Sequence, residues 1–338
     1  MKKKLFLSAL VMVFLSVSVA AFALDNVEST STFQNMERTE SIVFGQGRTG
    51  GLIERLSQLE VALFGRELPG SIAARQNALY DFLEKGNIDQ PSMLFKLGVA
   101  EWALSQEIDP YASVSDRIAF LERSLEGQTM ENKPLAMRLE RLLSLLLSDS
   151  ITWHDVEIPS ESVMKVTLME TLSPGSIKEG DKVRISLEED LVVGDSLVAP
   201  KGSRVLAHVE TVKKPKSFGR PSEITISFDN LDPLGPESVP LTLGEASEEA
   251  VKAEKAQMAA VGTSFVGAIL LGPVGLAGGL LVRGDAKDIP EGTDFFVQTS
   301  ETVRVSGYSV PAGLQGMISS PPVSSGDGGD TLGEVSNQ

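Results

Sequence analysis

MAAVGTSFVGAILLGPVGLAGGLLV, residues 258–282, runs for 25 residues without a charge. Its reading decides the architecture, because strand-like sequence lies on both sides of it. About 20 apolar residues in a helix span the hydrocarbon core of a bilayer. Gly262, Gly267, Gly272, Gly275, Gly278 and Gly279 punctuate the run. Small residues let helix backbones approach closely, and Gly275-x-x-x-Gly279 is the short form of that pattern. Gly272-Pro273 falls near the middle, where a helix kinks or turns. Two paths fit: one kinked crossing, or a hairpin of two halves of about 12 residues, each about 18 Å long if helical. A third reading packs the run as core against its own domain.

The flanks choose between the first two paths. Ile289-Pro290-Glu291-Gly292-Thr293 echoes Ala199-Pro200-Lys201-Gly202-Ser203, and an alternating strand follows each. Residues 163–246 and 288–310 are therefore expected to form one β domain, with 247–287 inserted as a glycine-rich helical segment. A single crossing would part the two pieces of that domain, so the hairpin is preferred. Its expected membrane or oligomer contacts are Gly262, Phe265, Gly267, Gly272, Pro273, Gly275 and Gly279. Within 163–246, strands are predicted at Val166–Leu168, Lys182–Leu187, Val192–Val193, Arg204–Val212, Glu223–Phe228 and Val239–Leu243. Phe295–Thr299 and Val303–Val305 follow the run. Turn signals separate them, as in a β-sandwich or small β-barrel.

Upstream, residues 41–148 read as a helical repeat bundle. Phe44-Gly45 returns as Phe64-Gly65, and at the same offset of 20 Arg55 matches Arg75 and Leu59 matches Leu79. A third copy places Arg117, Leu121, Glu122, Leu125 and Gly127 against Arg55, Leu59, Glu60, Leu63 and Gly65. A fourth echo runs Leu135, Arg138, Leu139, Leu142 and Leu146. Leu52, Leu56, Leu59 and Leu63 give one apolar helix face, and Gly65 supplies a left-handed end. Short units of this kind bury a face only by packing together. The Arg and Glu residues read as decorating the helices or tying the turns rather than as chemistry. The spacing breaks between 83 and 111. Residues 149–162 read as a connector with Pro159 as breaker, and 311–338, rich in Gly, Ser and Pro, as a disordered tail.

The N-terminus has the form of a secretory signal. Lys2, Lys3 and Lys4 precede an apolar stretch from Leu5 to Ala20, and Ala21-Phe22-Ala23 fits the cleavage rule, so 1–23 is expected to be removed. Residues 24–40 read as a polar linker. The formal charge is −16, and loss of the three signal lysines takes it to −19. So acidic a chain repels phosphate backbones, which excludes nucleic acid as the expected partner. With no cysteine, there are no disulfides and no thiolate metal sites.

Phe44-Gly45, Arg55, Leu59-Glu60 and Phe64-Gly65 resemble helical repeats of exported envelope proteins of cyanobacteria and diderm Firmicutes. That resemblance covers residues 41–85 and implies an envelope location, not an activity. The Pro-x-Gly-Ser/Thr strand starts and the insertion in a β domain are similar to the C-terminal domain of the outer-membrane channel component of type IV secretion systems. There the insertion helps form a membrane ring.

Candidate chemistry is sparse. Gly194-Asp195-Ser196-Leu197 spells an esterase nucleophile motif, but that chemistry needs a strand-to-helix turn and a base. Neither His154 nor His208 follows an aspartate by three residues. His154, between Trp153 and Asp155, reads as a connector residue packed by the tryptophan, and His208 as an outward strand residue. Glu188-Glu189-Asp190 reads as a solvated turn rather than a calcium loop. Gly45-x-Gly47-x-x-Gly50 has phosphate-loop letters without a preceding strand. No catalytic, cofactor or metal site and no small-molecule substrate is expected. The chain reads as a non-enzymatic α+β envelope protein in the periplasm or at the outer envelope face. It would be membrane-associated or self-associating through 258–282, or bind an envelope protein. The alternative is a soluble periplasmic binding module for cell-wall glycan or protein.

Overall fold

A computed structural model of the chain describes residues 33–87, 89–213, 222–261, 280–284 and 288–319. It is a mixed helix and strand structure in two compact units. The first unit takes residues up to Phe82 and Ala112–Glu140; the second takes Leu83–Tyr111 and the chain from Arg141. The signal segment 1–23 lies outside the described residues.

The first unit contains helices α1 (33–44), α2 (Leu52–Phe64), α3 (Ile72–Tyr80), α5 (Val114–Glu126) and the start of α6 (Leu135–Leu146). In α2, Leu56, Leu59 and Leu63 are fully buried at the predicted spacing. Full burial of such side chains contributes about 1.5–3 kcal/mol each relative to exposure. Ser71 and Ser113 cap α3 and α5 by accepting the Ala74 and Asp116 amides, which satisfies donors that a helix start leaves open.

Two boundaries of the helical region differ from the sequence reading. Helix α1 covers 33–40 of the stretch assigned to a linker, because Met36, Glu40 and Val43 recur on one face and are all buried. Glu40 disguised that face as polar. The interval 83–111, placed in a helical domain of 41–148, belongs instead to the second unit. It holds α4 (Met93–Ser105), whose Phe95, Val99 and Trp102 pack with Val192, Leu197, Leu234, Tyr308 and Val310.

The β portion of the second unit closes on itself. Strands β2 (Val163–Leu168), β3 (Lys182–Leu187), β6 (Arg204–Lys213), β7 (Ser222–Leu231), β8 (Val239–Thr242) and β10 (Asp294–Thr299) pair in the order β6-β3-β2-β10-β8-β7. Pairing of β6 with β7 completes a six-stranded barrel. Strand β10, from beyond the apolar run, lies between β2 and β8. Strands from both sides of the run thus meet in this barrel. Val166, Leu168, Val183, Ile185, Val205, Val209, Ile226 and Val297 fill it by the alternation that a strand dictates.

The two echoing turns do the same work at two places. Gly202 at φ 87° donates to Leu187 O, whose amide donates to Ser203 O. Gly292 at φ 79° donates to Leu168 O, whose amide donates to Thr293 O. A left-handed residue is needed in each turn. At Gly202 a Cβ would also strike the Ile108 carbonyl.

A half-barrel sheet, β1-β11-β5-β4, joins β1 (Trp153–Ile158), β11 (Val303–Ser309), β5 (Ser196–Ala199) and β4 (Leu191–Val193). Strand β1 occupies the supposed connector, pairing with β11 from Trp153↔Tyr308 to Ile158↔Val303. Pro159 breaks the chain where expected, ending that strand and opening the turn before β2. The start of the supposed tail is also built in: Leu314, Met317 and Ile318 pack on the Phe95–Trp102 cluster. Residues 320–338 lie outside the described residues.

Candidate functional site

The apolar run is rooted on the barrel at both ends. Helix α7 (Glu245–Val261) leads into it and packs against β10 and β2. The Ser247 amide donates to Gln298 Oε1, and Lys165 Nζ meets Glu254 at 2.9 Å and Asp294 at 3.0 Å. Burial opposes the Lys165 charge, but the bonds to Glu254 and Asp294 hold its pKa above the ordinary value. At the far end Leu280–Gly284 forms β9, an edge strand antiparallel to β7, with Ile226↔Leu280 and Ser222↔Gly284 in register. The end of the run is therefore sheet rather than helix, because β7 outlasts its partner β8 and leaves backbone groups for another strand to satisfy. Gly262, Phe265, Gly267, Gly272, Pro273, Gly275 and Gly279 lie outside the described residues. Among the described residues no helix is long and apolar enough to cross a membrane.

The other sequence-derived residues form a recurring ionic clasp. Arg55 Nε and Nη2 donate to Glu40 Oε1 and Oε2 at 2.8 and 2.7 Å. Arg75 binds Glu60 by the same fork at 2.8 and 2.6 Å, and Arg138 binds Glu122 at 2.8 and 2.7 Å. Each carboxylate also accepts the backbone amide eight residues on: Arg48, Leu68 and Met130. Each precedes by five residues a left-handed glycine, Gly45, Gly65 or Gly127, at φ 74–78°. Geometry explains the pattern. The glycine turns the chain back over the helix end, the carboxylate ties the returning loop, and the next helix supplies the arginine. Phe44 lies under the Arg48 guanidinium at 4.1 Å, and Phe64 meets Phe82 edge-on at 4.7 Å. Leu59 and Leu79 are buried beside the clasps. The loop Gly45–Gly50, with its phosphate-binding letters, thus encloses a carboxylate of its own chain. The sequence comparison aligned Glu60 with Glu122 but did not show that the arginine of one helix serves the glutamate of the helix before it.

Burial alone would raise the Glu40 pKa, but Arg55 and the Arg48 amide bring it below its ordinary value of 4.5. Arg55 and Arg75 are pushed up by their carboxylate bonds against the opposing effect of burial. A carboxyl depressed on folding contributes stability that is complete above its unfolded pKa and lost as pH falls through the folded one. The helical unit should therefore lose stability below about pH 4.5. Urea unfolding followed by circular dichroism from pH 6 down to about pH 3 tests this. Glu40→Gln should flatten the slope, and an equal slope in both proteins would remove Glu40 as its source.

Ser196 and His154 come together although the motif around Ser196 is a β-turn. Ser196 Oγ lies 3.1 Å from His154 Nε2 and 3.2 Å from Asp195 Oδ1, while His154 Nδ1 meets Ser309 Oγ at 2.9 Å. His154 is thus a strand residue of β1, not a connector side chain packed by Trp153. Ser196 is fully buried, and the imidazole is oriented by a hydroxyl rather than a carboxylate. The group joins β1, β5 and β11 at one corner. Ser196→Ala should cost about 1–2 kcal/mol of stability and leave reactivity toward a fluorophosphonate probe unchanged. Labelling of the wild type that the variant loses would assign a nucleophile here.

Asp190 is not solvated. It is 3% exposed and accepts from Trp102 Nε1 at 3.1 Å, the Lys201 amide at 2.8 Å and the Ser319 amide at 3.1 Å. Glu188 bonds Lys201 and Thr167. His208 faces outward and bonds Asp229 at 2.9 Å. Among the described residues no cluster has the makings of a metal site.

The chain matches no protein-family profile, no curated protein and no solved structure.

Proposed function

We propose that this protein is a non-enzymatic scaffold of the cell envelope. In this reading it is exported by its N-terminal signal, and its barrel presents residues 262–279 to a membrane or to other copies of the chain. The observation that carries the proposal is the rooting of both ends of the glycine-rich run on one barrel, through α7 and β9. A segment that returns to its starting platform fits a hairpin better than a single crossing. Eighteen residues divided in two give about nine per arm, or about 14 Å if helical. That reaches partway into a hydrocarbon core of about 30 Å. The glycines allow close contact between arms or between copies. The clasped helices supply a surface for an envelope protein partner.

The test is fractionation of the mature protein with carbonate and detergent, beside a variant in which 262–279 is replaced by a short Gly-Ser linker. The linker keeps α7 and β9, which a deletion of 258–282 would cut. Retention of the wild type in carbonate-washed membranes and release of the variant is the expected result. For self-association, light scattering should show an oligomer that the linker variant loses. A wild-type protein that is monomeric and ignores membranes would end the proposal.

A further inference from the structure

We infer that the second unit carries a saccharide-binding cleft, independent of the apolar run and of the function proposed above. A cavity of about 250 Å³ opens between the loop before α4, the start of β1, the loop before β8 and β11. Its lining includes Trp153, Phe95, Glu237, Ser306, Asn87 and Lys85. The volume is below the roughly 300–1,000 Å³ typical of sites for drug-sized ligands. It has room for one sugar ring, not an extended ligand.

The groups around that space match the two faces of a pyranose. Trp153 is partly exposed and is backed by the buried Phe95 at 6.4 Å between ring centres. It offers an apolar plate for C–H groups and an indole N–H that has no partner among the described residues. Such a side chain suits a ligand with one apolar and one polar aspect. Glu237 is held by both oxygens, accepting from the Ser306 amide at 3.1 Å and from Ser306 Oγ at 3.0 Å. Each oxygen keeps a further lone pair. A carboxylate fixed in this way is a fork for two neighbouring hydroxyls. Asn87 Oδ1 accepts the Asp89 and Gln90 amides, which fixes the side chain and leaves its NH₂ group for an acceptor on the ligand. Lys85 carries no ion pair among the described residues and stands exposed at the rim.

A free amino acid or peptide end would need a full complement of donors for its carboxylate, and Asn87 and Lys85 are few for that task. A neutral or mildly anionic sugar needs only the plate, the fork and one or two donors.

The experiment uses the intact mature chain, whose two tryptophans are Trp153, in the cleft, and Trp102, fully buried. Indole N–H resonances in a nitrogen-labelled protein are followed while glucose, N-acetylglucosamine, glucuronate and, as the rival class, an alanyl dipeptide are added separately. The expected result is a saturable shift of the Trp153 signal with at least one sugar, in the millimolar range, while Trp102 stays still. Glu237→Gln should weaken that affinity by about tenfold, and this first measurement needs no variant to fold. No saturable shift with any sugar overturns the inference. So does a response to the dipeptide alone, or sugar binding that leaves Trp153 unmoved.

Discussion

Glu60→Leu should destabilise the helical unit by about 3–5 kcal/mol, because it leaves the Arg75 guanidinium buried without its carboxylate. Glu60 is completely buried and Arg75 nearly so, so water cannot replace the lost partner without opening the loop. The Leu68 amide loses its acceptor at the same time. Urea unfolding followed by circular dichroism measures the loss. A midpoint equivalent to less than about 1 kcal/mol of change would mean that the clasp is held open to solvent in solution.

The paired variant Glu60→Leu with Arg75→Leu separates two meanings of that loss. Burying two charges is itself costly, and apolar replacement of both partners is often neutral or better. The double variant should therefore recover most of the stability lost in the single one. About 1 kcal/mol should remain missing from the unpaired Leu68 amide. If it recovers nothing, the fork is worth more than its desolvation cost. The clasp then stabilises the fold as well as fixing which helix follows which.

These two outcomes bear on what the sequence could reveal. The apolar stripe of α2 and its glycine end were legible because a helix face and a left-handed turn each leave a local signature, at Leu56, Leu59, Leu63 and Gly65. The strands with clean alternation, such as Lys182–Leu187, were legible for the same reason. The arginine that answers Glu40, Glu60 or Glu122 comes 15 or 16 residues later, from another helix. No local period contains that distance. Strands β1, β5 and β9 were hidden by competing signals: Pro159 beside Trp153–Ile158, an esterase-like spelling around Ser196, and the uncharged run that absorbed Leu280–Val282. Trp153 lay in the stretch read as a connector, and Glu237 and Asn87 carried no local signal, because only the pairing of β1 with β11 and the packing of α4 bring them near one cavity.

Asp190→Ala should be the most damaging single change in the second unit. The side chain joins three pieces of chain that are remote in sequence: α4 through Trp102, the Pro-x-Gly turn through Lys201, and Ser319. The Ser319 hydroxyl accepts the Asp190 amide in return. Truncation strands three donors, and the indole of Trp102 is wholly buried. An unsatisfied buried donor costs about 1–3 kcal/mol, and water can reach the two backbone amides more readily than the indole. A total of about 3–5 kcal/mol follows, which lowers the melting temperature by about 10 °C for a unit of this size. Asp190→Asn keeps one oxygen but turns an NH₂ group toward donors, so it should recover little. Both tryptophans lie in this unit, and their emission on heating follows it directly. The loss of the Ser319 bonds has its own readout: residues 311–319 should be cut by a protease sooner in the variant than in the wild type. Unchanged melting would show that the three donors find other acceptors. Faster cutting without a change in melting would confine the role of Asp190 to fastening residues 311–319.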